Sequence, residues 1–157
     1  MTQAYIEMVH LLSRLHRSLI EAIKAELDTR LIRDINAIQA LILFNVGDHK
    51  LTVGELMSRG CYQGANVTYN LHVLVRNKYV TELRSAYDRR IRHVQLTKKG
   101  HEMRHHLASM HKRHVERLPL ADISESDLTR TIHTFERLEL VWRAIPAPSP
   151  VSADPSS

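Results

Sequence analysis

The N-terminal part of the chain contains no glycine or proline before Gly47, and this absence strongly constrains the fold. From residue 3 to 29, apolar side chains recur at steps of three and four residues, the spacing of one helix face. A helix of about seven turns is too long for a chain of 157 residues to bury its whole apolar stripe internally. We therefore expect a partner chain to cover part of that stripe, which consists of Ile6, Val9, Leu12, Leu15, Leu19, Ile23 and Leu27.

Capping signals place the other helices. A polar side chain followed three residues later by a carboxylate or amide is the capping-box spacing that marks a helix N-terminus. The signals are Asn36 with Gln39, Thr52 with Glu55, and Ser124 with Asp127. Together with Thr97 as a further cap and Pro119 as a stop, they predict helices over about 36–46, 53–59, 65–77, 98–117 and 125–144.

The positive charge of the chain is concentrated in residues 84–104. This segment holds seven lysines and arginines against two acidic residues, and that excess equals the net charge of +5 of the whole chain. Two short apolar runs predict strands at 79–84 and 91–96, with a charged turn at 85–90 between them. A basic hairpin directly before a helix suits the binding of a phosphate backbone.

The predicted order is a helix-turn-helix followed by a two-stranded wing, which defines a winged helix. On the predicted helix 65–77, Val67, Leu71, Leu74 and Val75 share an inner side, and the outer side carries no acid. Amides, an exposed Val73 and a tyrosine on that outer side suit the major groove of DNA, although an ordinary solvated face is the alternative. Asn70 lies at the edge of the apolar side, where its alternative role is a hydrogen bond to the neighbouring loop, and it therefore ranks below Asn66 and Tyr69. The recognition candidates are Ala65, Asn66, Thr68, Tyr69, Asn70, His72, Val73 and Arg76.

The hairpin residues divide into structural and contacting roles. Asp88 and Arg90 can form a short-range ion pair that shapes the turn. Arg89 at the tip is then free to enter a minor groove, whose negative potential attracts it. Two further cations, Arg92 and Lys98, are predicted phosphate contacts. Arg84 belongs to the same basic wing.

Three segments resemble the MarR family of transcription regulators. The pattern Asp88-x-Arg90-x5-Leu96-Thr97-x2-Gly100 resembles the family's wing motif. The run from Leu51 to Leu56 resembles its first helix-turn-helix segment, and Val67-Thr68 falls where its recognition helix begins. By motif the resemblance covers about residues 34–104. The chain departs from the family pattern in the turn Gly60-Cys61-Tyr62-Gln63-Gly64 and at Lys78, which replaces a common glycine; Asn77 is the expected left-handed residue there.

The resemblance implies a mainly α fold with a small β-hairpin wing, organised as an obligate homodimer that binds a palindromic duplex. Helical dimerisation regions would span 1–33 and 105–145, the winged helix-turn-helix 34–104, and a disordered tail 146–157. A small-molecule pocket between the dimerisation helices and the winged helix would hold a ligand that releases a repressor from DNA. Residues 66–71 also resemble a branch tied to cell-envelope and stress genes. The implied dimerisation residues are Val9, Leu12, Leu15, Leu19, Leu138 and Trp142.

Other classes of function receive weaker support. A metal sensor could use His101 and His105, spaced as i and i+4 among eleven histidines, but no third ligand stands at diagnostic spacing. Cys61 could act as a redox switch, and a winged helix can also serve protein contacts without a DNA target. No phosphate-binding loop or nucleophile elbow indicates an enzyme, and no cofactor is expected. Without a visible secretory signal or membrane-length apolar run, we expect a cytoplasmic location and no membrane partner.

Overall fold

The structure is a computed structural model that describes residues 1–60, 64–84 and 91–145, without the side chains of residues 60, 64 and 65. Several predicted features lie outside these described residues. They are Cys61 and its turn, the Ala65 side chain, the wing-tip residues Asp88, Arg89 and Arg90, and the tail 146–157.

The structure confirms the predicted order of helices, with the two strands of the hairpin between the fourth and the fifth helix. It places α1 at Thr2–Thr29, α2 at Ala37–Val46, α3 at Val53–Gly60, α4 at Gly64–Arg76, α5 at Lys98–Val115 and α6 at Glu125–Ala144. The strands are β1 at Leu51–Thr52, β2 at Val80–Arg84 and β3 at Arg92–Leu96. A short 3-10 helix at Leu118–Ala121 contains Pro119, so α5 ends two residues earlier than predicted.

The predicted capping boxes all form. In each, the side chain of the first residue accepts from the backbone N–H three residues on, and the later side chain accepts in return. The forward hydrogen bonds are 2.9 Å for Asn36 and Gln39, 3.1 Å for Thr52 and Glu55, and 3.2 Å for Ser124 and Asp127. These local signals therefore explain where α2, α3 and α6 begin.

The sheet has three antiparallel strands, whereas the sequence predicted only the two strands of the wing. β3 lies in the centre, with β1 and β2 on either side. Leu51 pairs with Val94, and both side chains are buried. A two-residue strand has no pattern of its own, because its hydrogen bonds come from a partner 43 residues away in the register Leu51–Val94. Thr52 serves both as the end of β1 and as the cap of α3.

The chain divides into two compact units, Met1–Arg113 and His114–Ser157. In the second unit, neither α6 nor the 3-10 helix buries a residue. Within the described segments, no helix combines the length and apolar character needed to cross a membrane. The first unit has a continuous apolar core whose fully buried members include Ile23, Ile42, Leu43, Leu56, Leu71, Leu74, Val94 and Leu107.

The start of α5 is packed closely on the start of β2. Thr97 donates from its backbone N–H to the Tyr79 carbonyl at 3.0 Å, and its hydroxyl accepts from the Gly100 N–H at 3.1 Å. A Cβ atom on Gly100 would lie 2.2 Å from the Tyr79 carbonyl oxygen. Only glycine allows this approach, which explains the glycine of the wing motif.

We expect Gly100→Ala to lower the free energy of unfolding by about 1–3 kcal/mol, because the added methyl group forces two backbone segments apart. Gly54→Ala is the matched control: its Cβ would meet only the Thr52 hydroxyl at 3.9 Å. Since alanine favours helix, the control should be neutral or stabilising by up to about 1 kcal/mol. Urea denaturation of both variants measures the difference, and equal stabilities would contradict the close packing.

Candidate nucleic-acid interface

The helix α4 separates a buried side from an outward side. Val67, Leu71 and Leu74 are fully buried, as the helical spacing predicts. The outward side chains Asn66, Tyr69, His72 and Arg76 are exposed, and Tyr69 is the most prominent at 67% exposure. No acidic residue occurs anywhere in α4. The described part of this face therefore offers an amide, a phenol, an imidazole and a guanidinium to a partner.

Two valines of α4 differ from their predicted positions. Val75, predicted on the buried side, is 37% exposed, and Val73, predicted to be exposed, is half-buried. Consecutive helical residues are about 100° apart around the helix axis. Val75 is therefore rotated by about 100° from the buried Leu74, away from the side of α4 that α2 and β2 cover. Thr68 is half-buried as well.

Asn70 also differs from its place among the recognition candidates. Its side chain is only 9% exposed, and its amide makes two internal hydrogen bonds. One is accepted from Gln39 of α2 and the other is donated to the carbonyl of Asn66. Asn70 therefore does not belong to the outward face, because its polar atoms face the interior.

The C-terminus of α4 ends in a Schellman motif centred on Lys78. Lys78 has a left-handed backbone with φ 63°. Asn77, the residue expected to be left-handed, does not have a positive φ. The Tyr79 N–H donates to the Leu74 carbonyl at 2.9 Å, and the Lys78 N–H donates to the Val75 carbonyl at 3.0 Å. A lysine thus occupies the position where glycine is common in the family, and the motif still forms.

A polar cluster around Asp34 holds this helix end in place. The Tyr79 hydroxyl donates to Asp34 Oδ1 at 2.8 Å, and Lys99 Nζ donates to Asp34 Oδ2 at 2.6 Å. The Asn77 amide donates to the Asp34 backbone carbonyl, and Lys99 also donates to the Asn77 carbonyl at 3.1 Å. The Lys99 ammonium lies 4.1 Å from the centre of the Tyr79 ring. These contacts join the α1–α2 linker, the end of α4 and the start of α5.

The titration behaviour of this cluster follows from its contacts. Burial raises the pKa of Asp34, but the hydrogen bonds from Lys99 and Tyr79 outweigh burial and bring the pKa below its usual value. Burial and the hydrogen bond to the Asp34 carboxylate raise the pKa of Tyr79. Tyr79 therefore remains a neutral donor, and Asp34 remains a charged acceptor, near neutral pH.

The described wing residues differ in how free their charges are. Arg84 and Arg92 are directly opposite each other in the β2–β3 register. Arg92 Nη1 lies 3.3 Å from Glu82 Oε1 and its side chain is half-buried, whereas Arg84 and Lys98 are exposed. The predicted contacts at Arg84 and Lys98 are thus at the surface, while Arg92 already has a carboxylate partner.

The histidines of α5 do not assemble a metal centre in the described part of the chain. There, no group of three or more histidine, cysteine, aspartate or glutamate side chains could hold an ion. His101 Nδ1 lies 3.5 Å from Asp48 Oδ1, which also accepts from Arg104 Nη1 at 2.5 Å. Burial, with Arg30 and His105 nearby, lowers the pKa of His106. His101 and His105 thus lack the third described ligand that a metal site would need.

Sequence reasoning missed the residues that hold the interface from behind. The sequence predicts Gln39 only as part of a cap and Tyr79 only as a strand residue, and it predicts Asp34 only as part of the polar stretch that ends the first helix. Each of these residues has a polar group, and its local role in a cap, a strand or a helix end already accounts for its presence in the sequence. Their long-range partners, 45 residues apart for Asp34 and Tyr79, leave no trace in one sequence.

The sequence of this chain is similar to that of known transcription regulators. The sequence pattern of the MarR family matches residues 33–91. The exopolysaccharide II synthesis transcriptional activator ExpG of Rhizobium meliloti (strain 1021) is 33% identical over 138 residues, which cover 88% of this chain and 71% of that protein. The match extends beyond the winged helix into the flanking helices.

Solved structures with the same fold include AbsC, a MarR family transcriptional regulator from Streptomyces coelicolor. It superposes with a TM-score of 0.72 at 18% identity, covering 92% of this chain and 96% of AbsC. Streptococcus pneumoniae FabT in complex with DNA gives a TM-score of 0.69 at 22% identity, covering 88% of this chain and 97% of FabT.

We expect Asp34→Asn to lower the free energy of unfolding at neutral pH by about 1 kcal/mol or less, because the ion pair is partly exposed. The folded pKa of Asp34 is depressed, so its stabilisation is complete above the unfolded value of about 4 and is lost as pH falls through the folded pKa. The difference between the two proteins should therefore shrink in acid. Denaturation at a series of pH values measures it, and a constant difference down to about pH 2 would contradict this account.

Proposed function

Because the chain belongs to the MarR family of transcription regulators, we propose that it binds a palindromic double-stranded operator as a homodimer and releases it when a small molecule binds. The observation that carries the proposal is the acid-free outward face of α4, which stands directly before a wing with exposed cations. The FabT structure was determined with DNA, and it shares this fold.

The outward face of α4 suits the major groove. The Asn66 amide can pair with an adenine edge, and Tyr69 and His72 can donate to base acceptors or phosphates. Arg76 lies toward the C-terminal end of the same face, where a guanidinium can reach a guanine or the backbone. The helix therefore supplies sequence discrimination.

The wing supplies affinity that does not depend on sequence. Arg84, at the turn end of β2, and Lys98, at the start of α5, are exposed and can neutralise phosphates. Arg89 is proposed to enter the adjacent minor groove, with Asp88 and Arg90 shaping the turn. This division separates the residues that choose a site from the residues that hold the duplex.

Exposed apolar surface supports the homodimer. On α1, Ile6 and Leu15 of the predicted apolar stripe are exposed, and Leu15 is 52% exposed. On α6, Ile132, Leu140 and Val141 are exposed in the same way. Two-fold pairing of such surfaces between copies would remove them from water and present two recognition helices to a palindrome.

A cavity in the first unit supports a ligand response. It has a volume of about 450 Å³ and lies between α1, the α1–α2 linker and the start of α2. This volume falls in the range of small-molecule sites. The walls are mostly apolar, and their charged residues are Lys24, Arg33 and Asp28. Because the two cations outnumber the one carboxylate, we propose an apolar effector that carries an anionic group. The apolar lining residues are Ile20, Leu27, Ile32, Ile35, Ala37 and Ile38.

The direction of regulation has two candidates. Repression follows from a dimer that occupies a promoter until its effector arrives, and we propose it as the main mode. Activation is favoured by the R. meliloti relative, which is a transcriptional activator of exopolysaccharide II synthesis. That relative also supports cell-envelope genes as targets. Expression of a reporter fused to the bound promoter, measured with and without this protein, distinguishes repression from activation.

A DNA target also implies that the protein acts in the cytoplasm.

The proposed division of labour can be tested once duplexes selected in vitro give the preferred operator. Asn66→Ala and Tyr69→Ala should change which sequences are selected, with a loss of about 1–3 kcal/mol for each base contact. Lys98→Ala should weaken all duplexes alike and reduce the salt slope by about 1. Lys112→Ala, an equal charge change on the far half of α5, is the control. Unchanged affinity in Lys98→Ala would refute the wing assignment.

The homodimer can be tested by placing a charge on the exposed stripe of α1. Leu15→Glu should convert a dimer into a monomer at micromolar concentration, because a carboxylate would be buried against apolar side chains. It should also lower operator affinity, since both half-sites must be bound together. His10→Glu, on the opposite side of α1, should leave the dimer intact. Sedimentation velocity measures the oligomeric state of both variants. A wild-type protein that is monomeric at micromolar concentration would refute the proposal.

A further inference from the structure

A buried pair of amides connects α2 to the recognition helix α4. Gln39 is 4% exposed and Asn70 is 9% exposed, and Gln39 Nε2 donates to Asn70 Oδ1 at 3.1 Å. Among the described residues, Glu26 is a third buried side chain with an amide or carboxylate group, and it is paired with Arg30 and Arg113. The amide pair is therefore a polar contact buried between these two helices.

The pair is the middle of a longer series of hydrogen bonds. Gln39 Oε1 accepts from the Asn36 N–H at 3.0 Å, which closes the cap of α2. Asn70 Nδ2 donates to the Asn66 carbonyl at 2.8 Å, in the first turn of α4. The series thus runs from the start of α2 to the segment of α4 that carries the exposed Asn66 and Tyr69.

The energetic role of such a pair is mainly geometric. A buried hydrogen bond between neutral amides contributes little net stability, because both groups give up hydrogen bonds to water. The neighbouring contacts of α4 are apolar, through Val67, Leu71 and Leu74, and apolar contacts have no preferred direction. The Gln39–Asn70 hydrogen bond is directional, so it can define the rotation and axial position of α4 on α2.

We propose that Gln39 and Asn70 are positioning residues for sequence readout, which set the orientation of the recognition helix without touching DNA. The inference rests on the proposed function, because it concerns how α4 discriminates between duplexes. Base contacts require side chains held within a fraction of an ångström, and buried second contacts of this kind supply that constraint. The pair should therefore control operator preference and leave the affinity of the wing for any duplex unchanged.

The decisive variant removes the hydrogen bond without leaving a buried polar group unpaired. In Gln39→Met and in Asn70→Leu, the remaining amide loses its partner, and stability should fall. In the double variant Gln39→Met with Asn70→Leu, both polar groups are gone and apolar side chains of similar size meet, so thermal stability should largely return. A positioning role predicts that operator preference does not return with it.

Operator preference is measured as the ratio of Kd for a shuffled duplex to Kd for the selected operator, by fluorescence anisotropy. We expect the double variant to lose about tenfold in this ratio, the size of one base contact, with Kd for the shuffled duplex within about twofold of wild type. Asn36→Ala is the matched control, because it weakens the same cap and leaves Gln39 and Asn70 bonded. It should lower stability and retain the wild-type ratio.

The outcomes separate this inference from the function on which it rests. A stable double variant with the wild-type ratio would refute the positioning role. A wild-type protein that binds both duplexes equally would instead refute sequence-specific binding itself. If the double variant does not fold, Asn70→Ala is compared with Asn36→Ala under conditions of matched stability, and equal ratios in that comparison would also refute the inference.

Discussion

The carbonyl group of Tyr79 is the point on which the arrangement of the winged helix depends. It accepts from the backbone N–H of Thr97 at 3.0 Å, and the Thr97 hydroxyl donates to the neighbouring Lys78 carbonyl at 2.7 Å. Gly100 approaches the Tyr79 carbonyl oxygen more closely than any other residue type allows. Because Tyr79 follows α4 and precedes β2, while Thr97 joins β3 to α5, one carbonyl links four elements. These contacts therefore join the end of α4 and the start of β2 to the start of α5.

Polar contacts extend this junction to the rest of the first unit. Asp34 brings in the α1–α2 linker through Tyr79 and Lys99, and Gln39 brings in α2 through Asn70. The apolar core holds the elements together with contacts that have little directional preference. The hydrogen bonds add direction, so the orientation of α4 depends on a small number of side chains that never reach its outward face.

The sequence predicted the elements whose causes are local. Capping pairs such as Asn36 with Gln39 act within one turn, so the helix starts were predictable, and so was the exposure of Tyr69 from helical spacing. The strand β1 was not predictable, because a partner strand defines it. For Asn70, helical spacing left open an outward role or an internal hydrogen bond. Its partner Gln39 was not predictable, because only the position of α2 brings the two side chains together.

Two non-glycine residues with left-handed backbone show how this framework tolerates local strain. Leu31 has φ 57° after α1, and Lys78 has φ 63° after α4. Both sit in Schellman motifs, with Ile32 donating to the Leu27 carbonyl in the first and Tyr79 closing the second. Such a conformation costs about 1 kcal/mol or more without glycine. The residues that follow the strained positions, Ile32 and Tyr79, pack in or against the apolar core. Burial of these side chains therefore offsets the backbone strain at Leu31 and Lys78.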